Sequence, residues 1–457
     1  MKPNILFLVV DSLRADKFYG NAKTSITPNF NSLIKKGVYF SQTISSVAST
    51  SPSMGSIFTG LFPFKIGMGP ESYKKINSEI STYVDHLKQN GYTTFATTSE
   101  INSFLGLTAD FDLTIEQTIH NNYYSLFTGL GEKIINKLDS MPENPWFFYI
   151  HINDLHQPIL VPKSFNDEKF GETDYEKMLS AIDFWIGKFL KQIDLTKTLV
   201  ILTADHGEYI RSIKLDGEII NLESSFSEKL LWKLGNKIPS SLYGPKRKLS
   251  SILHKNRDNV RRKKIEKIKL SKYEERVLTM SRMSLGTHVY DDVLKVPLVF
   301  SGYGIKSEEI ISQQVGLVDI FPTMTNLIHL SNFKSDIDGI NLIPLILGES
   351  IDEKPIYIQS MPQISENHSI IIGIRTSKFK YTRDKENKGN VQLFDLINDP
   401  LEENDISSSN SEIVTKMENI LENILENADS QQTISNSSFN ELERKKVEDE
   451  LRKLGYL

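Results

Sequence analysis

Residues 198–208 read TLVILTADHGE, and this stretch indicates the fold more clearly than any other. The apolar run 198–203 is typical of a parallel strand that is covered on both faces. Asp205 and His206 follow where that strand ends, and Gly207 lets the chain turn sharply after them. Carboxylate and imidazole are both good ligands for divalent metals. We therefore predict a metal site at the carboxyl end of a buried strand; the alternative is a helix cap with an unrelated histidine.

Other strands of the same kind are predicted along the chain. Residues 4–10 form a nearly continuous apolar run, and Asp11 and Arg14 follow it. Functional residues gather at the carboxyl ends of strands in open α/β sheets, so Asp11 is a candidate metal ligand, although it could also cap the next helix. Residues 146–152 are a further buried strand, and they lead into a loop with His156 before Pro158. A histidine in such a loop is a candidate for chemistry rather than for the core.

The stretch STSPSMGSIFTG, residues 49–60, is where we expect the reaction to take place. Pro52 is favoured at the first position of a helix, and this makes Ser51 the expected N-cap. The hydroxyl of Thr50 would then lie beside the free N–H groups of the first turn, which bind anions. N–H groups at Ser51 and Ser53 would add charge stabilisation. Taken alone, the stretch also fits an ordinary capped helix.

Composition excludes several classes of site. The chain has 457 residues, 39% hydrophobic and 24% charged, and contains no cysteine. Disulfides, thiolate zinc sites and cysteine nucleophiles are therefore excluded. The net charge of -5 gives no reason to expect specific nucleic-acid binding. No apolar run approaches the about 18 residues that span a membrane, and no signal-peptide cleavage site is recognisable, so we expect no transmembrane segment and a cytoplasmic protein.

The pattern divides the chain into several units. Residues 1–341 are predicted to form an α/β catalytic domain with a large, mostly parallel sheet sandwiched by helices. An insertion at 209–283 is predicted to be mostly helical and is basic, so it is either a solvated lid or a contact surface for an anionic polymer, a membrane surface or an acidic partner. Residues 342–405 are predicted to form a small antiparallel sheet in a C-terminal α+β subdomain, and 406–457 a helical tail.

Several motifs together resemble the sulfatase and alkaline phosphatase superfamily, over most of the chain up to about residue 405. They are Asp11 to Arg14, Thr50 to Ser53 with Thr59 and Gly60, residues 204–208, His156 with Pro158, Tyr290 to Asp292 before Val296 to Leu298, residues 318–323, and residues 374–381 with 393–396, Asp399 and Pro400. The resemblance implies an alkaline-phosphatase-like fold and a hydrolase or transferase.

The chain also departs from the sulfatase pattern. Thr50 stands where a sulfatase carries the Cys or Ser that becomes formylglycine, and a threonine cannot become that aldehyde. Met54 replaces the family arginine, and Ser12 replaces one of a pair of acidic residues. Residues 99–102 lack the expected Lys and His. The residues that remain are a carboxylate, a threonine, an aspartate and a histidine. This set resembles the single-metal site of threonine-nucleophile phosphotransferases, such as lipoteichoic acid synthases and phosphoethanolamine transferases.

The resemblance implies one divalent metal ion (Mn, Mg, Ca or Zn), no formylglycine, and the metal ligands Asp11, Thr50, Asp205 and His206. Thr50 is the expected nucleophile, with His156, His288 and Arg14 as the other catalytic residues. The expected reaction is cleavage of phosphate or phosphodiester bonds through a covalent intermediate. The substrate would be a phosphorylated or sulfated small molecule, glycan or lipid head group. The alternatives are a sulfuric ester hydrolase that works without formylglycine and a non-catalytic binding protein.

Overall fold

The computed structural model describes residues 2–70, 75–76, 79–117, 125–222, 265, 268–280, 284, 286–306, 308–330, 337–361 and 369–429. Its main body is built around one sheet, flanked by helices. The strands of that sheet are β1 (Asn4–Val10), β2 (Gly37–Ile44), β3 (Thr93–Ser99), β4 (Leu113–Gln117), β5 (Trp146–Ile152), β6 (Thr198–Thr203), β9 (Lys295–Gly302), β10 (Glu309–Ile311) and β11 (Val315–Gly316).

The order of the main sheet is β10-β2-β9-β6-β1-β5-β3-β4, and β11 pairs with β2. Only the pairings of β9 with β2 and β6 are antiparallel; the others are parallel. β1, β5 and β6 are almost completely buried, as their apolar sequences predict. The expected fold class, a large and mostly parallel sheet with helices, is confirmed.

Eleven helices of the main body lie among the described residues. They are α1 (Ala15–Phe18), α2 (Pro28–Lys35), α3 (Thr50–Thr59), α4 (Tyr83–Gln89), α5 (Glu100–Phe104), α6 (Leu130–Asp139), α7 (Asp174–Leu190), α8 (Lys272–Thr279), α9 (Asp291–Leu294), α10 (Ile320–Leu327) and α11 (Ile343–Ile346). The longest, α7, starts with a capping box in which Thr173 and Glu176 satisfy each other's backbone N–H groups.

A smaller antiparallel sheet follows in the C-terminal part. It consists of β12 (Ile356–Gln359), β13 (Ile371–Arg375), β14 (Phe379–Asp384) and β15 (Val391–Asp395), in that order. Helix α12 (Ser411–Asp429) follows it and contacts β13 and β14. Residues 430–457 of the expected helical tail lie outside the described residues.

The inserted segment begins differently from the expected helix. Strands β7 (Ser212–Leu215) and β8 (Glu218–Asn221) form a hairpin, and Asp216 and Gly217 at its turn both have positive φ angles. Asp-Gly between two short runs is a strong hairpin signal that the composition-based interpretation of this segment overlooked. The segment ends in helix α8, whereas its basic part at 246–264 lies outside the described residues.

Within the part of the chain that the structure describes, none of the helices combines the length and the apolar character that crossing a membrane requires.

Candidate active site

Three neighbouring strands bring the predicted acidic and imidazole side chains to one edge of the main sheet. β1 lies between β5 and β6, with Val9 opposite both His151 and Thr203. Asp11 and Asp205 therefore leave adjacent strands at the same level. The ligand atoms of Asp11, His151 and Asp205 all lie within 4.8 Å of one another, and all three residues are buried.

Thr50 lies at the same point. Its Oγ1 donates a hydrogen bond to Asp11 Oδ2 at 3.2 Å and is 3.5 Å from His206 Nε2. Residues 51–59 of α3 are all buried, whereas Thr50 is only half-buried, so its hydroxyl is the part of the helix that a substrate can reach. The structure thus brings together all four predicted metal-site residues, Asp11, Thr50, Asp205 and His206.

The start of α3 corrects two expectations. The N-cap is Ser49 rather than Ser51, so Thr50 is the first helical residue and Pro52 the third. The N–H of Ser53 donates to the carbonyl of Ser49 at 3.1 Å, the first hydrogen bond of the helix, and is not free for an anion. Ser51 instead donates its hydroxyl to Asn102 Oδ1 at 2.7 Å. Proline is tolerated throughout the first turn, which is why its position did not fix the cap.

In each of the two carboxylates, Oδ1 accepts hydrogen bonds from neighbouring protein groups, whereas Oδ2 faces the point that the site residues share. Asp11 Oδ1 accepts from the hydroxyl of Ser12 at 2.5 Å. Asp205 Oδ1 accepts from the backbone N–H groups of Ser12, at 3.1 Å, and His206, at 2.8 Å. The Oδ2 atoms face the shared point instead. Ser12 has a φ of 63°, in the left-handed region, and this places its N–H and hydroxyl between the two acids.

The tautomer of His206 follows from its backbone contact. Its Nδ1 lies 2.7 Å from the carbonyl of Gly207, which can only accept, so Nδ1 carries a proton and Nε2 faces Asp205 and Thr50. Burial raises the pKa of Asp205, but the nearby imidazoles of His206 and His151 outweigh it and hold this pKa below its usual value. Asp205 is therefore a carboxylate, ready to bind a cation.

His151 is the site residue that the sequence interpretation missed. It is completely buried in β5, and its Nε2 lies 3.8 Å from Asp11 Oδ2 and 3.8 Å from Asp205 Oδ2. The interpretation treated 146–152 only as a buried strand. The signal that could have identified it was a single histidine in a strand of apolar and aromatic residues, near the carboxyl end of β5, which lies beside Asp11.

The region where a sulfatase would carry Lys and His has no cationic side chain here, since residues 99–102 read SEIN. Asn102 is buried beside α3, where it accepts from Ser51 and donates to Thr98 Oγ1 at 2.9 Å and Ser99 Oγ at 3.0 Å. Met54, in the place of the family arginine, is also completely buried. These side chains complete the packing around the start of α3 but supply no charge.

His156 lies in the loop after β5. Its Nδ1 is 2.9 Å from the carbonyl of Gln157, which can only accept, so Nδ1 carries a proton. It is 8% exposed, which is compatible with a position at the rim of the site. Its catalytic role stays a prediction.

Arg14 and His288 lie in a second network. Arg14 pairs with Asp16 and with Asp292, both at 2.8 Å, so its charge is balanced by two acids. His288 contacts Thr287 and stacks on Tyr290, and burial lowers its pKa. No contact among the described residues joins either side chain to Thr50.

A protein-family model described as Sulfatase matches residues 3–330 of this chain, well over half of its length. The chain belongs to the sulfatase family. A second model, the C-terminal region of N-sulphoglucosamine sulphohydrolase, matches residues 286–430 and so includes the small sheet and α12. The predicted superfamily and the predicted class of enzyme, an ester hydrolase, are confirmed at this level.

Relatives of this sulfatase-family chain align with it over almost its whole length. Arylsulfatase K of Gallus gallus is 22% identical over 95% of this chain and 84% of its own length. A solved 2-O GAG sulfatase has a TM-score of 0.64 at 17% identity, covering 97% of this chain and 96% of its own. The phosphonate monoester hydrolase of Agrobacterium radiobacter has a TM-score of 0.66 at 14% identity, covering 93% and 96%. The two solved structures show a shared fold.

The buried polar atoms of the site suit a metal ion. Asp205 Oδ2 and His151 Nε2 are buried, and no described residue forms a hydrogen bond with either atom. Buried polar atoms without partners are rare, because desolvation costs about 1–3 kcal/mol for each group. Both atoms point to the place where Asp11 Oδ2, His206 Nε2 and Thr50 Oγ1 also meet, and carboxylate, imidazole and hydroxyl groups together match a divalent cation.

Proposed function

We propose that this sulfatase-family chain cleaves phosphate or phosphodiester bonds through Thr50 as the nucleophile. The observation that carries the proposal is the contact of Thr50 Oγ1 with Asp11 Oδ2 at 3.2 Å, beside His206 Nε2 at 3.5 Å. A hydroxyl is a weak nucleophile unless a neighbouring group accepts its proton or a metal activates it. Thr50 already donates a hydrogen bond to Asp11 Oδ2, and the residues around its hydroxyl would hold a cation.

Asp11, Asp205, His206 and Thr50 would hold one divalent cation. When bound, such a cation lowers the pKa of a hydroxyl and polarises a phosphoryl oxygen. Thr50 Oγ1 forms a bond to phosphorus while its proton leaves to solvent water, since Asp11 Oδ2, to which the hydroxyl donates, would hold the cation. The bond from phosphorus to the leaving oxygen breaks, and His156 or His288 protonates that oxygen.

The phosphothreonine is released by a second attack, in which water or an acceptor alcohol forms a new bond to phosphorus and the bond to Thr50 Oγ1 breaks. This step separates phosphorus from sulfur. A formylglycine hydrate expels sulfate by collapsing to an aldehyde, but threonine has no such route. Asp16 and Asp292 already balance the charge of Arg14. Arg14 would therefore contribute to catalysis through its position beside the turn after β1 rather than through its charge.

Sulfuric ester hydrolysis without formylglycine is the second candidate. Arylsulfatase K of Gallus gallus aligns with 95% of this chain, and this similarity to a sulfatase favours a sulfated substrate. A sulfated glycan is then the natural substrate class. A non-catalytic binding protein is the third candidate, and the neutral Met54 and Asn102 positions favour it.

The experiment is turnover of a panel of aryl phosphate, phosphodiester, phosphonate and sulfate esters at equal metal concentration, with Thr50→Ala and Thr50→Ser beside the wild type. We expect phosphorus esters to be turned over and Thr50→Ala to lose about 10³-fold or more of kcat. Thr50→Ser keeps the hydroxyl and should retain measurable activity. Faster turnover of the sulfate ester would support the second candidate, and no turnover of any ester would support the third.

A further inference from the structure

The site contains one more imidazole than the predicted ligand set. His151 enters from β5, the strand next to Asp11, and no hydroxyl, carbonyl or carboxylate hydrogen-bonds its Nε2. A hydrogen bond between Nε2 and a carboxylate oxygen would have a length of about 2.7–3.2 Å. Instead Nε2 stands 3.8 Å from both Asp11 Oδ2 and Asp205 Oδ2. That equal separation leaves room for a cation between the three atoms.

The separations also suit the size of a zinc-class ion. Four nitrogen and oxygen ligands at about 2.0–2.2 Å from Zn²⁺ stand about 3.3–3.6 Å from one another in a tetrahedron. The observed separations are 3.6 Å for His206 Nε2 to Asp205 Oδ2 and 3.8 Å for each carboxylate to His151 Nε2. These three separations lie at the upper end of the tetrahedral range or slightly above it, and Asp11, His151 and Asp205 place their ligand atoms within 4.8 Å of one another.

Each imidazole has a partner on its far side. His206 donates from Nδ1 to the carbonyl of Gly207, and His151 Nδ1 lies 3.5 Å from Thr98 Oγ1. Metal-bound histidines usually have such a partner, which fixes the tautomer that presents Nε2 to the metal. Thr98 is itself held by Asn102 Nδ2 at 2.9 Å.

We propose that His151 is a metal ligand, so that Asp11, His151, Asp205 and His206 form a two-carboxylate, two-imidazole site that selects a zinc-class transition metal over Ca²⁺ and Mg²⁺. The chemistry follows from the donor atoms, because Ca²⁺ takes six to eight oxygen ligands and Mg²⁺ also prefers oxygen. Imidazole nitrogen suits Zn²⁺ and its neighbours in the first transition row. This inference rests on the proposed function, in which the cation assists ester cleavage. It adds His151 as a ligand and a zinc-class metal, neither of which ester cleavage through Thr50 requires.

The test is a metal competition on the full chain, stripped with a chelator and dialysed against equimolar Zn²⁺, Mn²⁺, Mg²⁺ and Ca²⁺. We expect elemental analysis to find about one zinc-class ion per chain, and X-ray absorption of the zinc-loaded wild type to show two imidazole ligands. His151→Gln fills a similar volume and should lower zinc affinity by about 100-fold or more, and His86→Gln is the matched control.

Retention of Ca²⁺ or Mg²⁺ in preference to zinc, or one imidazole in the absorption spectrum, would overturn the inference. The absorption measurement needs only the wild type, so the inference remains testable if His151→Gln misfolds. If esters are turned over through Thr50 with Mg²⁺ or Ca²⁺ bound and His151→Gln binds metal normally, only this inference fails. If no cation binds at all, the metal-assisted part of the proposed function fails with it.

Discussion

Ser12 stands where the family has a second acidic residue, and it still helps to position the other acids of the site. Its hydroxyl and its N–H each bind one carboxylate, and both bonds depend on the left-handed backbone at this position. Tyr175 closes the turn, since its hydroxyl donates to the carbonyl of Ser12 and accepts from the N–H of Arg14. Ser12 is therefore a positioning residue for Asp11 and Asp205.

Removal of the Ser12 hydroxyl should weaken the site without dismantling it. We expect Ser12→Ala and Ser12→Gly each to lower metal affinity and kcat/KM by about 10–100-fold, the usual cost of losing a hydrogen bond to a metal ligand. Because glycine accepts a positive φ more readily than alanine, Ser12→Gly should be the more stable of the two. Isothermal titration with Zn²⁺ and thermal unfolding measure the two effects. Unchanged metal affinity in both variants would contradict this role.

Some residues of the site could be identified from sequence and others could not. Asp11, Asp205 and His206 follow directly after apolar strands, so periodicity was enough to find them. His151 lies inside a strand, where its neighbours show only burial, and its role depends on β1 lying beside β5. Arg14 was predicted as a source of charge stabilisation, but the acids that pair with it lie at positions 16 and 292. A single sequence cannot show the second partner.

At the scale of elements, the loop after β5 is held by a buried acid. Asp154 Oδ1 accepts from the hydroxyl of Ser125 at 2.5 Å and from the N–H of Leu126 at 3.2 Å. Burial raises the pKa of Asp154 to about 6. This loop carries His156, so the same carboxyl links the 125–126 segment to a predicted catalytic residue.

The raised pKa of Asp154 predicts a pH-dependent stability. Below about pH 4 the carboxyl is protonated in both states and has no effect. Between about pH 4 and pH 6 the native state binds more protons than the unfolded state, so the free energy of unfolding falls as pH rises. Asparagine keeps an oxygen acceptor for both donors and carries no charge.

Asp154→Asn should therefore match the wild type near pH 4 and exceed its free energy of unfolding by about 2–3 kcal/mol at pH 7. Urea unfolding of both proteins across this range measures the difference. Asp139→Asn, which removes an exposed carboxyl, is the control for the substitution itself. A difference for Asp154→Asn that stays constant across this pH range would show that the carboxyl is not protonated in the native state.

At the scale of the whole molecule, the small sheet joins the main body through a buried charge network. Lys380 on β14 pairs with Asp291 at 2.5 Å and Glu402 at 2.6 Å, and Arg375 on β13 pairs with Asp291 at 2.7 Å. The two cations hold the pKa of Asp291 far below its usual value against the effect of burial. Because Asp291 begins α9, next to β9 of the main sheet, the network connects the two sheets.

Loss of the central cation of this network should be costly. Lys380→Met keeps the apolar stem but leaves two buried acids with less compensation, so we expect the free energy of unfolding to fall by about 3–5 kcal/mol. The control is Lys378→Met, at an exposed position in the turn between β13 and β14, which should change the free energy of unfolding by about 0.5 kcal/mol or less. Denaturant unfolding gives both values, and equal effects would mean that the network contributes little to stability.

The overall architecture could be predicted from the sequence, because its strands are apolar runs and its motifs occur in the same order as in the superfamily that it resembles. The hairpin at 212–221 was not, since a basic composition nearby favoured helix over the local Asp216-Gly217 turn signal. The cap of α3 was misplaced by two residues because proline fits any position of a first turn.

In the proposed mechanism, the Thr50 hydroxyl attacks the substrate beside Asp11, Asp205 and His206. An acid quench during turnover of an aryl phosphate or phosphodiester, followed by peptide mapping by mass spectrometry, tests this attack. We expect phosphothreonine at residue 50 in the wild type and no modified peptide in Thr50→Ala. Steady turnover without modification of residue 50, and with Thr50→Ala as active as the wild type, would rule out Thr50 as the nucleophile.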